Sequence, residues 1–448
     1  METLLFTLYL IFLILMMRYI LGSVKSGWSI LSVFLIFFSI QYLVIPLLFI
    51  LNSTVFFLKF GVSDLYLNSH GLQKFYSFES LLVVFIFIAF LFAGTWFIKE
   101  KSTQSYYLKE RTIYIFRKDV SLLFLIGLFL AILSFASLFL YSSAFGGMER
   151  AIEVSARVRS GYGSEVWLSQ KYIFTKRFIP FSILGIIIFF LLEQRKGLTI
   201  WLIFYMSFAV AMFSRFVLFK GKQSMLVLIL LYLFYLSLKN KKSYLFHFAI
   251  FFLCAIFLLP ALDSYLDTKK FVIPEASSFI QQILDMFLFM NFDQVSLEFA
   301  LQKTYDFFYF ENFISGIRGS FIPESWLTNI NGNVMLLNTY YFYGREATTV
   351  PPGVMAFGYY NLGATGVAIV AFGTGMLIKK LDYFFINLLL FNPRLMIVYA
   401  FVMTQAFTWA RTGMPKYTFY KTTMIVLLIT MLIGYQKEPI KENSDAEQ

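Results

Sequence analysis

The chain has 448 residues, of which 59% are hydrophobic and only 14% charged, with a formal net charge of +12 and a mean hydropathy of +0.74. A soluble domain is roughly half apolar and a quarter charged, so this composition excludes a water-soluble globular protein and predicts an all-α polytopic membrane protein. A single cysteine, Cys254, excludes an internal disulfide and a cysteine metal cluster, and the two histidines, His70 and His247, stand too far apart to suggest a histidine metal pair.

A crossing helix needs about 20 apolar residues. Taken in chain order, the apolar runs predict spans near 4–21, 28–51, 80–98, 120–142, 173–192, 198–219, 224–238, 244–262, 354–378, 395–410 and 417–435, about 11 in all. The first run is too continuous for a cleaved signal peptide and lacks a small-residue cleavage site, so it counts as a span. The stretch 382–391 is too short to cross and is expected on the membrane surface. Residues 1–262 thus form an N-terminal transmembrane bundle of about eight spans, 263–353 a large loop, 354–435 the C-terminal spans, and 436–448 a solvated tail.

Basic loops set the direction of crossing. The segment carrying Lys99, Lys101, Lys109, Arg111, Arg117 and Lys118 is expected on the cytoplasmic side. Alternation then puts Lys239, Lys379, Lys380 and Arg394 on that side too, with the N-terminus outside and the C-terminus inside. Four segments fall on the outer face: the loop 143–172, the hairpin "LFKGKQS", the long excursion 263–353 and the turn "ARTGMPK".

The excursion is too long for an idle connector. Apolar residues around Asp285, Asp293 and Glu298 recur at helical spacing, which predicts amphipathic helices on the membrane surface or over the bundle. Gly316, Gly319 and Pro323 then break helix, and "TTVPPG" leads into the next span, its entrance stiffened by Pro351 and Pro352.

Positive charge gathers on the outer face, against the usual bias. Arg150, Arg157, Arg159, Lys176, Arg177, Arg215, Lys220, Lys222, Arg318, Arg345, Arg411 and Lys416 all map to outer loops or outer span ends. Ionisable groups at membrane depth face polar cavities, and the arginine fork grips phosphate oxygens in a bidentate way. These cations therefore predict an anionic partner, a lipid-linked phosphate or pyrophosphate. Snorkelling to headgroups is the competing reading for any one of them. Tyr340, Tyr341, Tyr343, Tyr359 and Tyr360 are dense enough to offer rings to a sugar. No P-loop, dinucleotide fingerprint, HExxH or Asp-x-Asp motif occurs, so no metal and no cofactor is expected, and the scattered basic residues exclude nucleic acid as a partner.

The order of these features resembles the bacterial Wzy-type polymerases, the repeat-unit polymerases of O-antigen, enterobacterial common antigen and capsules. "RGSFIPESWL" resembles the family's Arg-x-x-x-x-Ile-Pro segment, "ATTVPPGVMAFGYYNLGATG" its Thr-Pro stretch before a Gly-x-x-Gly span, "KGKQSMLVLILLYLF" its short basic hairpin, and "WARTG" its Ala-Arg-x-Gly turn. Lys220 and Lys222 stand where relatives carry arginine, and Gly353 to Phe357 lack the acidic residue that often follows the Thr-Pro turn. The resemblance implies a GT-C-like architecture in the bacterial inner membrane, with a large periplasmic loop and an active site facing the periplasm. It implies a metal-independent glycosyltransferase that moves a growing glycan from undecaprenyl pyrophosphate to a new lipid-linked repeat unit. Donor and acceptor would be undecaprenyl-pyrophosphate-linked oligosaccharides in membrane lipid, with a chain-length regulator protein as a partner. Arg318 and Arg411 are the expected catalytic cations, and Glu346 is preferred over Asp293 and Glu324 as base. For Glu346, an ion pair with its neighbour Arg345 is the competing reading. The remaining outer cations, with Asp293, Tyr341 and Tyr360, would bind pyrophosphate and glycan. A lipid-linked oligosaccharide flippase and an O-antigen ligase are the alternatives.

Overall fold

The computed structural model describes residues 2–54, 76–98, 117–159, 175, 178–192, 197–217, 222–248, 250, 292–303, 306–311, 334–343, 350–391 and 393–412. Among the described residues the secondary structure is helical throughout. In chain order the helices are α1 (Glu2–Ser26), α2 (Ile30–Ser39), α3 (Ile45–Thr54), α4 (Phe78–Phe97), α5 (Arg117–Ser143), α6 (Met148–Arg159), α7 (Ser182–Leu191), α8 (Leu198–Val217), α9 (Lys222–Asn240), α10 (Phe292–Lys303), α11 (Val334–Tyr343), α12 (Val354–Phe391) and α13 (Met396–Thr412). Five stretches are long and apolar enough to cross a membrane: Glu2–Ser26, Ile30–Leu51, Phe78–Phe97, Leu122–Ser143 and Val354–Leu389. The chain is a helical membrane protein. The expected span 417–435 and most of 244–262 lie outside the described residues.

Local chemistry sets several helix limits. Ser29 and Ser77 cap α2 and α4 through reciprocal bonds with Ser32 and Ser80, satisfying amides that no earlier turn can reach. Between α2 and α3 the helix widens into a π turn, Ile40–Val44, where the Ile45 N–H reaches back to the Ile40 carbonyl. Pro46 follows immediately. It has no N–H to give the Tyr42 carbonyl, and its ring presses on that carbonyl, so the widened turn absorbs the mismatch.

The bundle has two identifiable ends. At one end the Asp382 carboxylate accepts the Ile30 and Leu31 amides at 2.8 and 3.4 Å and the Tyr399 hydroxyl at 2.6 Å, tying α12, α2 and α13 together. Trp28 Nε1 donates to the Ser243 carbonyl there, and its ring meets Phe234 of α9. Residues 382–391 were expected on the membrane surface; instead they continue α12 to Phe391, and Asp382 is buried. A carboxylate that fills the vacant first turn of a neighbouring helix belongs to the interior.

At the other end, Tyr76 donates to Glu2 and Ser77 donates to Glu298. Residues 293–300 of α10 are buried on every side, which excludes the membrane-surface placement and leaves the placement against the bundle. Asp293 and Glu298 are buried in protein, as is Gln294 beside them.

The predicted span 354–378 is broken. Leu362 (φ −152, ψ 31) and Gly363 (φ 59, ψ −145) interrupt α12 and leave a half-helix, Val354–Asn361. In a straight helix residues nine positions apart stand about 13–14 Å apart along the axis, yet a Cβ on Gly358 would stand 2.8 Å from the Val367 Cα. The half-helix therefore doubles back on the helix that follows. Its loose carbonyls are taken by the Phe308 and Tyr309 amides, which donate to Tyr360 and Asn361 at 3.1 Å, and the Phe310 amide donates to Asn361 Oδ1 at 2.8 Å.

The long arm of α12 crosses α4 with backbone against backbone. A Cβ on Gly94 would overlap the Phe372 carbonyl oxygen, and one on Gly375 would overlap that of Leu91. Such glycine contacts let membrane helices approach closely. Gly94→Ala and Gly375→Ala are each expected to lower stability by roughly 1–3 kcal/mol through overpacking, read as a lower Tm of the purified protein in detergent. Gly373→Ala, where a Cβ meets no atom within 4 Å, should leave Tm unchanged or raised.

Candidate functional site

Tyr42 lies twelve residues along the span that begins at Ile30, about 18 Å from that end. Its ring packs on Phe38 with centroids 4.9 Å apart. Opposite it stands Gly353, the residue just ahead of the half-helix, with φ +80. That conformation is open to glycine and strained for other residues. Space enforces the same choice. A Cβ there would overlap Tyr42 Oη and lie 3.2 Å from Asp293 Oδ1. The Tyr42 hydroxyl, the Asp293 carboxylate and the first turn of the half-helix thus converge on one point.

Two of these groups are fully buried yet unpartnered in the protein. Neither Asp293 oxygen accepts a hydrogen bond, and Tyr42 Oη makes none. The Val354 and Met355 amides sit beside Tyr42 Oη but outside hydrogen-bonding geometry. Burial pushes the Asp293 carboxyl well above its ordinary range, and Arg411, on the last turn of α13, pulls in the opposite direction. Ser39 Oγ and both amide atoms of Gln41, on the same stretch as Tyr42, are also buried without partners. Polar atoms taken out of water without a hydrogen bond are costly, and in a membrane bundle they mark functional surfaces.

The two other buried carboxylates among the described residues are engaged. Asp382 caps α2. Glu298 accepts Ser77 Oγ at 3.1 Å, Gln294 Nε2 at 3.3 Å and Gln302 Nε2 at 3.4 Å. Even so, burial raises its pKa to about 7, with the Ser80, Ser77 and Gln302 hydrogen bonds working against the rise and Glu79 adding to it.

The sequence-derived candidates divide clearly. Asp293 and Arg411 lie within electrostatic reach of each other. Tyr360 is buried inside the half-helix and donates to Asn338 Oδ1 at 3.3 Å, so it has no ring face to offer a sugar. Asn338 Nδ2 bonds Ser296 Oγ and the Val350 carbonyl, and Thr339 Oγ1 accepts the Val350 amide at 2.8 Å. Tyr360 therefore belongs to the framework that holds the Val350–Gly353 turn. Tyr341 is half-buried and stacks on Phe299 at 5.6 Å. Arg150 is exposed on α6, which packs on α5 and α8. The bonds of Trp28 to Ser243 and of Tyr399 to Asp382 hold the last residues of α9 and the first of α13 at one end, so the backbones of Lys222 and Arg411 lie toward the other. Lys176, Arg177, Lys220, Arg318, Glu324, Arg345, Glu346 and Lys416 lie outside the described residues.

Gln41, Tyr42 and Gly353 were not among the sequence candidates. The available signal was the polar pair "QY" inside the apolar run "VFLIFFSIQYLVIPLL". Comparison with protein-family models, curated proteins and solved structures returned no match.

Glu298 makes a pH prediction. The folded chain holds this proton more tightly than the unfolded chain, so its contribution is complete below about pH 4.5 and is lost as pH rises through 7. Tm should fall across that window by the equivalent of at most about 3 kcal/mol. In Glu298→Gln, followed by thermal unfolding in detergent over a pH series, that slope should flatten.

Proposed function

We propose that this protein is a membrane-embedded glycosyltransferase of the Wzy type, with a GT-C-like bundle of about 11 spans. It polymerises lipid-linked oligosaccharide repeat units at the periplasmic face of a bacterial inner membrane, in O-antigen or related surface-polysaccharide biosynthesis. The observation that supports this best is a buried Asp293 carboxylate with no hydrogen-bond donor, set against Gly353 and Tyr42 at the mouth of a half-helix and within electrostatic reach of Arg411. A lipid-donor transfer needs a fixed cation where the departing pyrophosphate gains charge, and a carboxylate where the acceptor hydroxyl loses its proton.

Arg411 takes the first role. The backbone of Lys222 lies toward its end of the bundle and extends the same positive field. Arg318 keeps the role implied by the resemblance. The donor glycan arrives on undecaprenyl pyrophosphate and passes to the outer hydroxyl of one new lipid-linked unit. A chain-length regulator remains the expected protein partner.

One observation favours a second reading. Broken helices with a half-helix N-terminus at membrane depth are a feature of transporters, and α12 is broken at Leu362–Gly363. A lipid-linked oligosaccharide flippase is therefore the alternative, with O-antigen ligase the alternative within the same chemistry.

Deletion followed by gel analysis of surface glycans separates the three. Loss of long chains with single repeat units retained supports polymerisation. Loss of all attached glycan supports ligation, and accumulation of lipid-linked units on the inner leaflet supports flipping. Arg411→Ala, expressed at normal level, should reproduce the deletion pattern; a normal ladder of chain lengths would count against the site.

A further inference from the structure

We propose that Asp293, rather than Glu346, is the general base of the transfer, and that Tyr42 Oη and the opening turn of the half-helix hold the acceptor hydroxyl against it. This rests on the polymerase reading above and assigns the acceptor side of its site.

The argument begins with the unused hydrogen-bonding capacity. Of the buried carboxylates described, Asp382 and Glu298 are each filled by three donors, and both oxygens of Asp293 are empty of them. An uncompensated buried carboxylate is an expensive group to keep. The Tyr42 hydroxyl beside it is likewise unbonded, and the two do not bond each other. Both border the position that a side chain on residue 353 would occupy. Glycine there leaves room for a substrate atom.

A sugar hydroxyl fits this setting by its chemistry. It donates one hydrogen bond and accepts others. Its proton would point to an Asp293 oxygen, while one lone pair of its oxygen would accept from Tyr42 Oη or from the opening amides of the half-helix and the other would face the anomeric carbon. As the acceptor oxygen bonds to the anomeric carbon of the donor sugar, its proton passes to Asp293. The bond from that carbon to the pyrophosphate oxygen breaks, and the electron pair leaves with the pyrophosphate, near Arg411. Charge is conserved across the step, and no metal or co-reactant is needed. Arg411 lies within electrostatic reach of Asp293, so the base and the leaving-group cation share one site.

The surroundings explain why the group is placed so firmly. Residues 293–300 of α10 are buried, and Asn338 links Ser296 to the Val350 carbonyl, which fixes Asp293 relative to Gly353. The π turn that carries Tyr42 packs on α10. Displacing either partner by an ångström would open the site.

The test uses the full-length protein in proteoliposomes with lipid-linked repeat units, measuring polymer formed per minute and acceptor KM. Asp293→Asn should elute as folded protein and still bind the lipid-linked donor. Its turnover should drop by 10²–10⁴-fold, the usual worth of a positioned base, and the acid limb of the pH–rate profile should disappear. Tyr42→Phe should raise acceptor KM severalfold with a smaller effect on kcat. Wild-type turnover in Asp293→Asn would overturn the assignment while leaving the polymerase reading intact. Should Asp293→Asn fail to fold, an unchanged acceptor KM in Tyr42→Phe overturns it instead. If the wild-type protein forms no polymer, both readings fall together.

Discussion

The Phe308 and Tyr309 amides donate to the Tyr360 and Asn361 carbonyls, and the rest of the candidate site hangs on those bonds. Inside a bilayer, backbone groups released by a broken helix have no water to turn to, so a break is tolerated only where protein supplies replacements. A segment from the long excursion supplies them here. Tyr309 and Phe310 adopt positive φ to do so, and the Phe307 ring lies 3.2 Å from the place a Cβ on Gly363 would take. With its end closed, the half-helix can turn back and set its first residues beside Tyr42 and Asp293.

Two kinds of rigidity then converge. On one side, α12 and α4 touch backbone to backbone at Gly94 and Gly375, which fixes the arm that carries the half-helix. On the other, Asp382 binds the start of α2 and Tyr399 of α13, so the helices bearing Tyr42 and Arg411 are tied at their far end. Phe37 against Phe407, 4.6 Å apart, continues that contact along the bundle. The site is thus built between two stiff pairs of helices, and the excursion contributes the carboxylate. A catalytic constellation needs such support, since small misplacements of reacting groups are expensive.

Much of the fold was legible without coordinates. Runs of Leu, Ile and Phe announce helices long and apolar enough to cross hydrocarbon. Arg411 drew notice because a guanidinium at the end of an apolar helix asks for an anion. The helix surrounding Asp293 stayed open between two placements, because alternation of acidic and apolar residues at helical spacing suits a surface helix and a buried helix with polar partners equally well. What distinguishes them is whether a donor such as Ser77 waits on another element to meet the Glu298 carboxylate. Tyr360 misled for a similar reason: an aromatic hydroxyl suits a sugar, and it suits Asn338 as well.

By itself the sequence determined the class of molecule and its helical character. Those properties depend on the transfer energy of individual residues and on local periodicity, which are properties of short stretches. Tertiary structure alone decided that α12 breaks and folds back, that α10 is inserted, and that Asp293 meets Tyr42 at Gly353. Each of these is a contact between residues tens to hundreds of positions apart, settled by which buried polar groups find partners elsewhere in the chain.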